Sequence, residues 1–264
     1  MIVVAELINA SGKKVKEAII NRDGDFIADL ARRQSEAGAD YIDVNVATGS
    51  GDASGEAEDM KWALDVIMNA VDKPIAVDTT DPKVLEVGLD MCGEGTFINS
   101  VNAEKGRLDS FLELARKYNS PAMALPIKES IPEDVEGRVE VADEIIKAAD
   151  QVGVPRENLY FDPLAMPISV DHNNAFTTME ALRRIKEYEG VKSTIGLSNI
   201  SYGLPKREIL NRAFLLLCMQ QGLDSAIMNP MQSGIMSIIK AGNVLLGKDP
   251  MCGQYLKAYR KGLL

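Results

Sequence analysis

The 264-residue chain is long enough for one large domain or two small ones. Hydrophobic residues make up 46% of it and charged residues 26%, which is typical of a folded globular protein and not of a disordered or fibrous one. The formal net charge is −10, so the chain lacks the excess of basic residues that a nucleic-acid-binding surface requires. Nucleic-acid binding is therefore excluded as a function class.

The sequence shows no sign of membrane insertion or export. No apolar run approaches the roughly 20 residues of a membrane-spanning helix, and the N-terminal stretch lacks the basic segment of a signal peptide. The cysteines are Cys92, Cys218 and Cys252, an odd and widely scattered set that argues against a framework of disulfides. We therefore expect a cytoplasmic protein that does not bind membranes.

Eight short apolar runs recur along the chain at a mean spacing of about 32 residues, and an amphipathic segment follows each. Buried parallel strands typically read as near-continuous apolar runs, and a strand with its crossover helix occupies about 30 residues. The pattern therefore predicts eight strand–helix units. The predicted strands are Ile2–Asn9, Tyr41–Val46, Pro74–Thr80, Gly95–Val101, Pro121–Ile127, Leu159–Leu164, Ser193–Asn199 and Ser225–Pro230.

Helix boundary signals between the runs support this division. Asp81 followed by Pro82 predicts an N-cap and a first helical turn, and Gly38 lies where a helix is expected to stop. Eight units in about 260 residues predict a single (β/α)8 TIM barrel that occupies residues 1–264 as one domain. A doubly wound sheet is the alternative, but it usually has fewer strands and a glycine-rich first turn, and no GxGxxG or P-loop motif is present.

Polar side chains lie at the C-terminal ends of seven of the eight predicted strands, where the active sites of TIM barrels are found. A single Asn or Asp at such a position is more often a turn or cap residue. Seven around one ring would instead converge on one cavity rich in amides and carboxylates. These residues are Asn9, Asn45, Asp78, Asn99, Asp162, Asn199 and Asn229.

The residue types at these ends restrict the chemistry. None of the runs holds a lysine for a Schiff base, and one histidine, His172, with scattered cysteines supplies neither a zinc site nor a Ser-His-Asp triad. A magnesium site formed by Asp43, Asp78 and Asp162 stays open as an alternative, although the sequence has no phosphate-binding loop to accompany it.

Carboxylates flanked by amides suit a planar heterocycle with a guanidine-like edge, because one carboxylate can accept two parallel N–H hydrogen bonds. A pterin fits this description, and less specifically so does a purine or a polar sugar.

Short motifs on consecutive strand ends make the chain similar to a known family. It resembles the pterin-binding methyltransferases that move a methyl group between 5-methyltetrahydrofolate and a corrinoid protein, relatives of the folate domain of cobalamin-dependent methionine synthase. The similarity covers essentially the whole chain, and the order of the motifs makes it specific. The motifs are AELIN (5–9), ARRQSEAGADYIDVNV (31–46), VDTT (77–80), INSVNAE (98–104), LYFDPL (159–164), GLSNIS (196–201), LNRAF (210–214) and GLDSAI (222–227).

The resemblance implies roles for individual residues. Asp78, Asn99 and Asp162 match the residues that hold the pterin ring, and Asn199 matches the catalytic amide that hydrogen-bonds near N5 of the folate. Arg207 matches a basic residue at the rim, where we expect it to receive the folate tail; the loop before it, YGLPK, departs from the family pattern and is expected to help choose the corrinoid partner. Further positions that match the mouth of the site are Asn9, Asp43, Asn45, Ser100 and Asn102.

The same resemblance implies methyl transfer between N5 of tetrahydrofolate, as the substrate, and the cobalt of a corrinoid, with no intrinsic metal. Eight units fill nearly the whole chain, so we expect the corrinoid to be carried by a separate protein, and a homodimer is expected from the family. A dihydropteroate synthase would share the pterin clamp, but the C-terminal QYLKAYRKGLL lacks that family's Arg-x-His. A non-catalytic pterin-binding subunit and an unrelated barrel enzyme that acts on a sugar or acid stay open as well.

Overall fold

Strands and helices alternate along the chain, as the sequence pattern predicts. The computed structural model describes residues 1–49 and 53–264, and within them the chain forms eight strands and ten α-helices. The strands are β1 (Ile2–Asn9), β2 (Tyr41–Asn45), β3 (Ile75–Asp78), β4 (Phe97–Asn102), β5 (Ala122–Leu125), β6 (Leu159–Phe161), β7 (Lys192–Ser193) and β8 (Ser225–Met228). The helices are α1 (Lys13–Ile20), α2 (Gly24–Glu36), α3 (Ala53–Ala70), α4 (Pro82–Cys92), α5 (Arg107–Lys117), α6 (Val135–Val152), α7 (Asn174–Ile185), α8 (Arg207–Gln220), α9 (Ile235–Leu245) and α10 (Gly253–Arg260).

The strands form one parallel sheet in the order β7-β6-β5-β4-β3-β2-β1-β8. The ends of this order approach each other at a seam, where Gly196 and Ile227 form a parallel bridge and the Ile227 N–H donates to the Ile195 carbonyl over 2.8 Å. The sheet is therefore a nearly closed barrel, and the predicted TIM-barrel fold is confirmed.

The barrel interior has an apolar floor from which the polar residues rise. Val4, Ala76, Phe97, Met123 and Tyr160 form one buried cluster, and the Phe97 and Tyr160 rings meet edge to face with centroids 4.8 Å apart. Because side chains of a strand alternate between its faces, the residues two positions further along point to the same side. This rule carries Glu6, Asp78, Asn99 and Asp162 above the floor at the C-terminal end of the barrel.

The helix signals read from the sequence are confirmed. Asp81 caps α4, its carboxylate accepting from the Lys83 N–H over 2.7 Å, and Pro82 occupies the first turn. Gly38 follows α2 with a φ of +102°, a backbone conformation that favours glycine. In the part of the chain that the structure describes, no helix is long and apolar enough to cross a membrane.

The seventh predicted strand, Ser193–Asn199, is wrong in extent. The strand β7 ends at Ser193, and a 3-10 helix covers Leu197–Ser201. At Gly196 the backbone N–H donates to the Asp162 carboxylate over 2.9 Å, while Gly196 still bridges Ile227, and the 3-10 helix begins at the next residue. Asn199 therefore lies on a 3-10 helix beyond the strand and not at a strand end. The remaining predicted strands are confirmed, with bounds that differ from the predicted ones by at most three residues.

Candidate active site

A cavity of about 490 Å³ opens at the C-terminal end of the barrel. Such a volume is in the range of small-molecule sites. Among the described residues that line it, several are acidic or amides and none is basic, so the cavity offers hydrogen-bond acceptors to a ligand that carries N–H donors. The lining residues are Glu6, Leu7, Asn9, Ser11, Gly12, Asp43, Asp78, Asn99, Leu125, Asp162, Gly196, Ser198, Asn199 and Ile227.

The structure brings six of the ten predicted site residues to the cavity wall. These are Asn9, Asp43, Asp78, Asn99, Asp162 and Asn199. The remaining four, Asn45, Ser100, Asn102 and Arg207, lie outside the lining set. Asn45 donates a side-chain hydrogen bond to Asp78, Arg107 donates to the backbone carbonyl of Ser100 over 3.1 Å, and the Asn102 amide oxygen accepts from the Glu104 N–H.

Asn229, which follows β8, also serves the backbone, because its side-chain oxygen accepts from the Met231 N–H over 2.9 Å. The prediction that all seven strand-end residues converge on one cavity is therefore too broad. Asn45 and Asn229 have the turn role that is ordinary for asparagine, since the Asn45 side-chain oxygen likewise accepts from the Ala47 N–H.

Asp162 is a buried carboxylate that is held by two backbone N–H groups. Its Oδ1 accepts from Leu164 over 2.8 Å and its Oδ2 from Gly196 over 2.9 Å. Burial is the larger influence and raises the pKa of Asp162 to about 6, while the two hydrogen bonds and the charge of Arg138 act in the opposite direction. The carboxylate is thus fixed in orientation, with capacity left for a further donor.

Arg138 supports the segment that follows Asp162, and the sequence analysis missed it. It is 1% exposed, and its guanidinium donates to the carbonyls of Pro163 and Leu164 over 2.7 and 2.8 Å and to that of Pro132 over 3.2 Å. A lone arginine at a helical position gives no sequence signal for this role, because the carbonyls that it bonds come from distant segments.

Asp43, Asp78 and Asn99 form a second polar group on neighbouring strands. The Asn99 amide donates to Asp43 over 3.0 Å. Burial raises the pKa of Asp78 to about 6. It raises the pKa of Asp43 well above the usual range, and the nearby charge of Asp78 adds to that effect. The protons bound by this group therefore depend on which N–H donors a ligand brings to it.

Glu6 is a cavity residue that the sequence analysis missed, although it lies in the AELIN motif. The register of β1 against β2 shifts between Ala5 and Ile8, and the Leu7 N–H in this bulge donates to the buried Gln34 side chain over 3.0 Å. Alternation after Val4 directs Glu6 inward, and the bulge lets the next residue, Leu7, line the cavity as well. The available signal was an acidic residue inside an otherwise apolar strand.

Asn199 stands in a segment that is fixed by its neighbours. The Ser198 hydroxyl donates to Glu6 Oε1 over 2.6 Å, and Arg207 donates to the Ser198 carbonyl over 2.6 Å and to the Ser201 hydroxyl over 3.0 Å. The guanidinium of Arg207 is therefore engaged with this loop. The cavity wall has room for the Asn199 amide because residue 196 is glycine: a Cβ there would lie 3.0 Å from Asn199 Nδ2.

The magnesium site that the sequence left open finds no support in the geometry. Within residues 1–49 and 53–264, no group of three or more His, Cys, Asp or Glu side chains is arranged to hold a metal ion. His172 is exposed and lies beside Asp171 in a loop.

Comparison with known proteins identifies the family. The pterin-binding enzyme family matches residues 5–229. A methylcorrinoid:tetrahydrofolate methyltransferase from Eubacterium limosum is 35% identical over 267 residues, covering 99% of this chain and 97% of that protein. A methionine synthase from Mycobacterium leprae is 34% identical over 246 residues, which are 87% of this chain and 20% of the synthase.

Solved structures share the fold. A dihydropteroate synthase from Xanthomonas albilineans, in complex with 7,8-dihydropteroate, superimposes with a TM-score of 0.69 over 93% of each chain at 20% sequence identity. At that identity the likeness shows the barrel architecture alone. The family match and the full-length relative, however, agree with the cavity of acceptors at the end of the barrel, and the chain belongs to the pterin-binding enzyme family.

Proposed function

We propose that the protein is a methyltransferase that moves a methyl group between N5 of tetrahydrofolate and the cobalt of a corrinoid carried by another protein, with the whole chain acting as one pterin-binding domain. The observation that supports this most strongly is the cavity, where fixed carboxylates and the Asn199 amide face one space. The full-length similarity to a methylcorrinoid:tetrahydrofolate methyltransferase supports the same reaction.

In this proposal the pterin ring is bound by acceptors from three strands. Asp78 and Asp162 accept the N–H donors of its guanidine-like edge, and Asn99 supplies an amide beside them. Asp162 is suited to this task because two backbone N–H groups already fix its plane. Binding of the ring then places N5 towards the barrel mouth, where Asn199 is exposed.

The proposed reaction changes the protonation of N5. In the direction towards tetrahydrofolate, the N5 lone pair forms the new N–C bond, the electron pair of the broken cobalt–carbon bond stays on cobalt, and N5 then releases its proton. In reverse, N5 leaves poorly as an uncharged tertiary amine unless positive character develops on it. A hydrogen bond from the Asn199 amide to N5 stabilises the leaving nitrogen, and its removal lowers the rate of the chemical step.

The partners follow from the chemistry. The corrinoid is a second substrate, delivered by a corrinoid protein whose cobalt must reach the exposed mouth of the cavity. We place Arg207 and Lys206 at the rim, where they would meet the carboxylates of the folate tail, and the loop before Arg207 on the side that the corrinoid protein approaches. We also propose that the protein forms a homodimer and is located in the cytoplasm.

Two related functions can be distinguished from methyl transfer by the reaction that each would or would not catalyse. A dihydropteroate synthase would join a pterin pyrophosphate to p-aminobenzoate, and a non-catalytic pterin-binding subunit would bind tetrahydrofolate without turnover. The absence of basic residues among the described lining residues disfavours the synthase, whose leaving group is pyrophosphate.

The division of roles is tested by comparing two variants at saturating folate. Asn199→Ala removes the amide at N5 and should lower kcat at least about tenfold, because its interaction strengthens in the transition state. Asp78→Ala removes ring binding and should raise KM for folate while it changes kcat much less. Equal losses of kcat in both variants would contradict these assignments.

A further inference from the structure

Glu6 connects the two sides of the barrel seam at the cavity. Its carboxylate accepts from the Ser198 hydroxyl, which follows β7, over 2.6 Å, and from the backbone N–H of Asn229, which follows β8. Glu6 lies two positions after Val4 of the barrel floor, so it points to the same side and lines the cavity. A single side chain from the first strand therefore holds the loops after the last two strands.

The Ser198 contact bears directly on Asn199, the next residue in the chain. Asn199 is exposed, and its backbone takes part in the 3-10 turn through hydrogen bonds to Gly196 and Tyr202. The orientation of its amide therefore depends on how the backbone at residue 198 is held. Glu6 holds that residue through its hydroxyl and Arg207 through its carbonyl.

Joining the two loops at the seam does not by itself require a charged side chain at position 6. Glu6 is half-buried, and burial raises the pKa of its carboxyl despite the two donors and the charge of Arg207. An uncharged acceptor would satisfy the same hydroxyl with less desolvation. A charged acceptor makes a shorter and stronger bond to a hydroxyl than an uncharged one does, and the bond from Ser198 to Glu6 measures 2.6 Å.

We propose that Glu6 is a positioning residue for methyl transfer, which sets the Asn199 amide against N5 through its hydrogen bond to Ser198. The proposal rests on the proposed function of the site. Nothing in the sequence pattern marks Glu6 for this role, since the role depends on the meeting of three strand ends.

Kinetic cycles test whether the effect of Glu6 passes through Ser198 and Asn199. Glu6→Gln and Ser198→Ala should each lower kcat on the order of tenfold with little change in the dissociation constant of tetrahydrofolate, because misplacement affects the chemical step and not the ring clamp. The double variant should be no slower than the slower single variant. In an Asn199→Ala background, Glu6→Gln should cause no further loss, and Ser198→Thr should recover most of the turnover lost in Ser198→Ala.

Three other outcomes would contradict this proposal. Losses that multiply in the double variant, or a further loss in the Asn199→Ala background, would show that Glu6 acts on its own or only through stability. A raised dissociation constant with unchanged kcat would show that Glu6 binds the pterin directly. Glu140→Gln, an exposed position on α6, is the matched control and should leave all these quantities unchanged.

A second readout needs no turnover. In the free protein, the NMR signals of the Asn199 side-chain amide, assigned by their loss in Asn199→Ala, should shift or broaden in Glu6→Gln and Ser198→Ala and stay in place in Glu140→Gln. Unmoved signals would overturn the positioning role whatever the enzyme does. Responsive signals in a protein that transfers no methyl group would instead overturn the proposed function and leave the link between Glu6 and Asn199 intact.

Discussion

The Asp162 carboxylate and the Gly196 backbone are joined by a hydrogen bond of 2.9 Å. This bond ties the end of β6 to the point where the chain leaves β7 and turns into the segment that carries Asn199. Asp162, which we propose binds the pterin, is thereby bonded to the backbone that leads to Asn199, the residue that we propose meets N5. In the proposed function, the carboxylate that binds the ring and the amide that meets N5 are therefore parts of one connected structure.

Gly196 is expected to be needed for catalysis and not for folding. Its φ of −73° is open to any residue, but an added Cβ would lie 3.0 Å from Asn199 Nδ2. Gly196→Ala should therefore displace the amide and lower kcat about tenfold or more with little change in Tm. Gly253→Ala is the matched control, because its Cβ would meet only Asp249 Oδ1 at 3.9 Å. Full activity in Gly196→Ala would contradict the placement of Asn199.

The stability contributed by Asp78 should depend on pH in a defined direction. Burial raises its pKa from 3.8 to about 6 in the folded state. The folded state then holds the proton more tightly than the unfolded state, so stability is full below about pH 4 and falls as pH rises through 6. Measured by chemical denaturation, wild type should lose up to about 3 kcal/mol relative to Asp78→Asn between about pH 4 and pH 7. A difference that is independent of pH would contradict the raised pKa.

Binding of tetrahydrofolate should depend on pH with the opposite sign. A carboxylate must be ionised to accept two N–H bonds, and burial raises the pKa of both Asp78 and Asp162 to about 6. Affinity measured by calorimetry should fall as pH is lowered through 6, by up to about tenfold per pH unit for each proton taken up. Asp78→Asn should bind more weakly at neutral pH and show a shallower dependence. A steep dependence retained in that variant would assign the titration to another group.

Arg138 should matter first for stability. Arg138→Met would leave the carbonyls of Pro163 and Leu164 buried without their charged donor, at an expected loss of about 3 kcal/mol in the free energy of unfolding. The variant should also bind folate more weakly, because loss of the nearby positive charge raises the pKa of Asp162 further. Arg260→Met, at an exposed position on α10, is the control. Equal unfolding curves for wild type and Arg138→Met would refute the role of these bonds.

The barrel could be predicted from the sequence because its strands are continuous apolar runs at regular spacing. The positions of Asp78 and Asp162 followed from the rule that sites lie at strand ends, which needs only the chain order. The sequence pattern placed Asn199 wrongly at a strand end, because the course of the chain before its 3-10 helix involves a contact between Gly196 and a carboxylate 34 residues earlier.

Glu6 escaped detection for a related reason. Its partners Ser198 and Asn229 come from the far end of the chain. The local sequence pattern does not reveal contacts between residues that are so far apart in the chain.

The most direct test follows the methyl group itself. Methylcobalamin with a carbon-13-labelled methyl group is incubated with tetrahydrofolate and the protein, and the label is located by NMR. We predict that it appears on N5 of tetrahydrofolate at a rate proportional to the protein concentration, and far more slowly with Asn199→Ala. Tight binding of tetrahydrofolate while the label stays on cobalt would contradict the account.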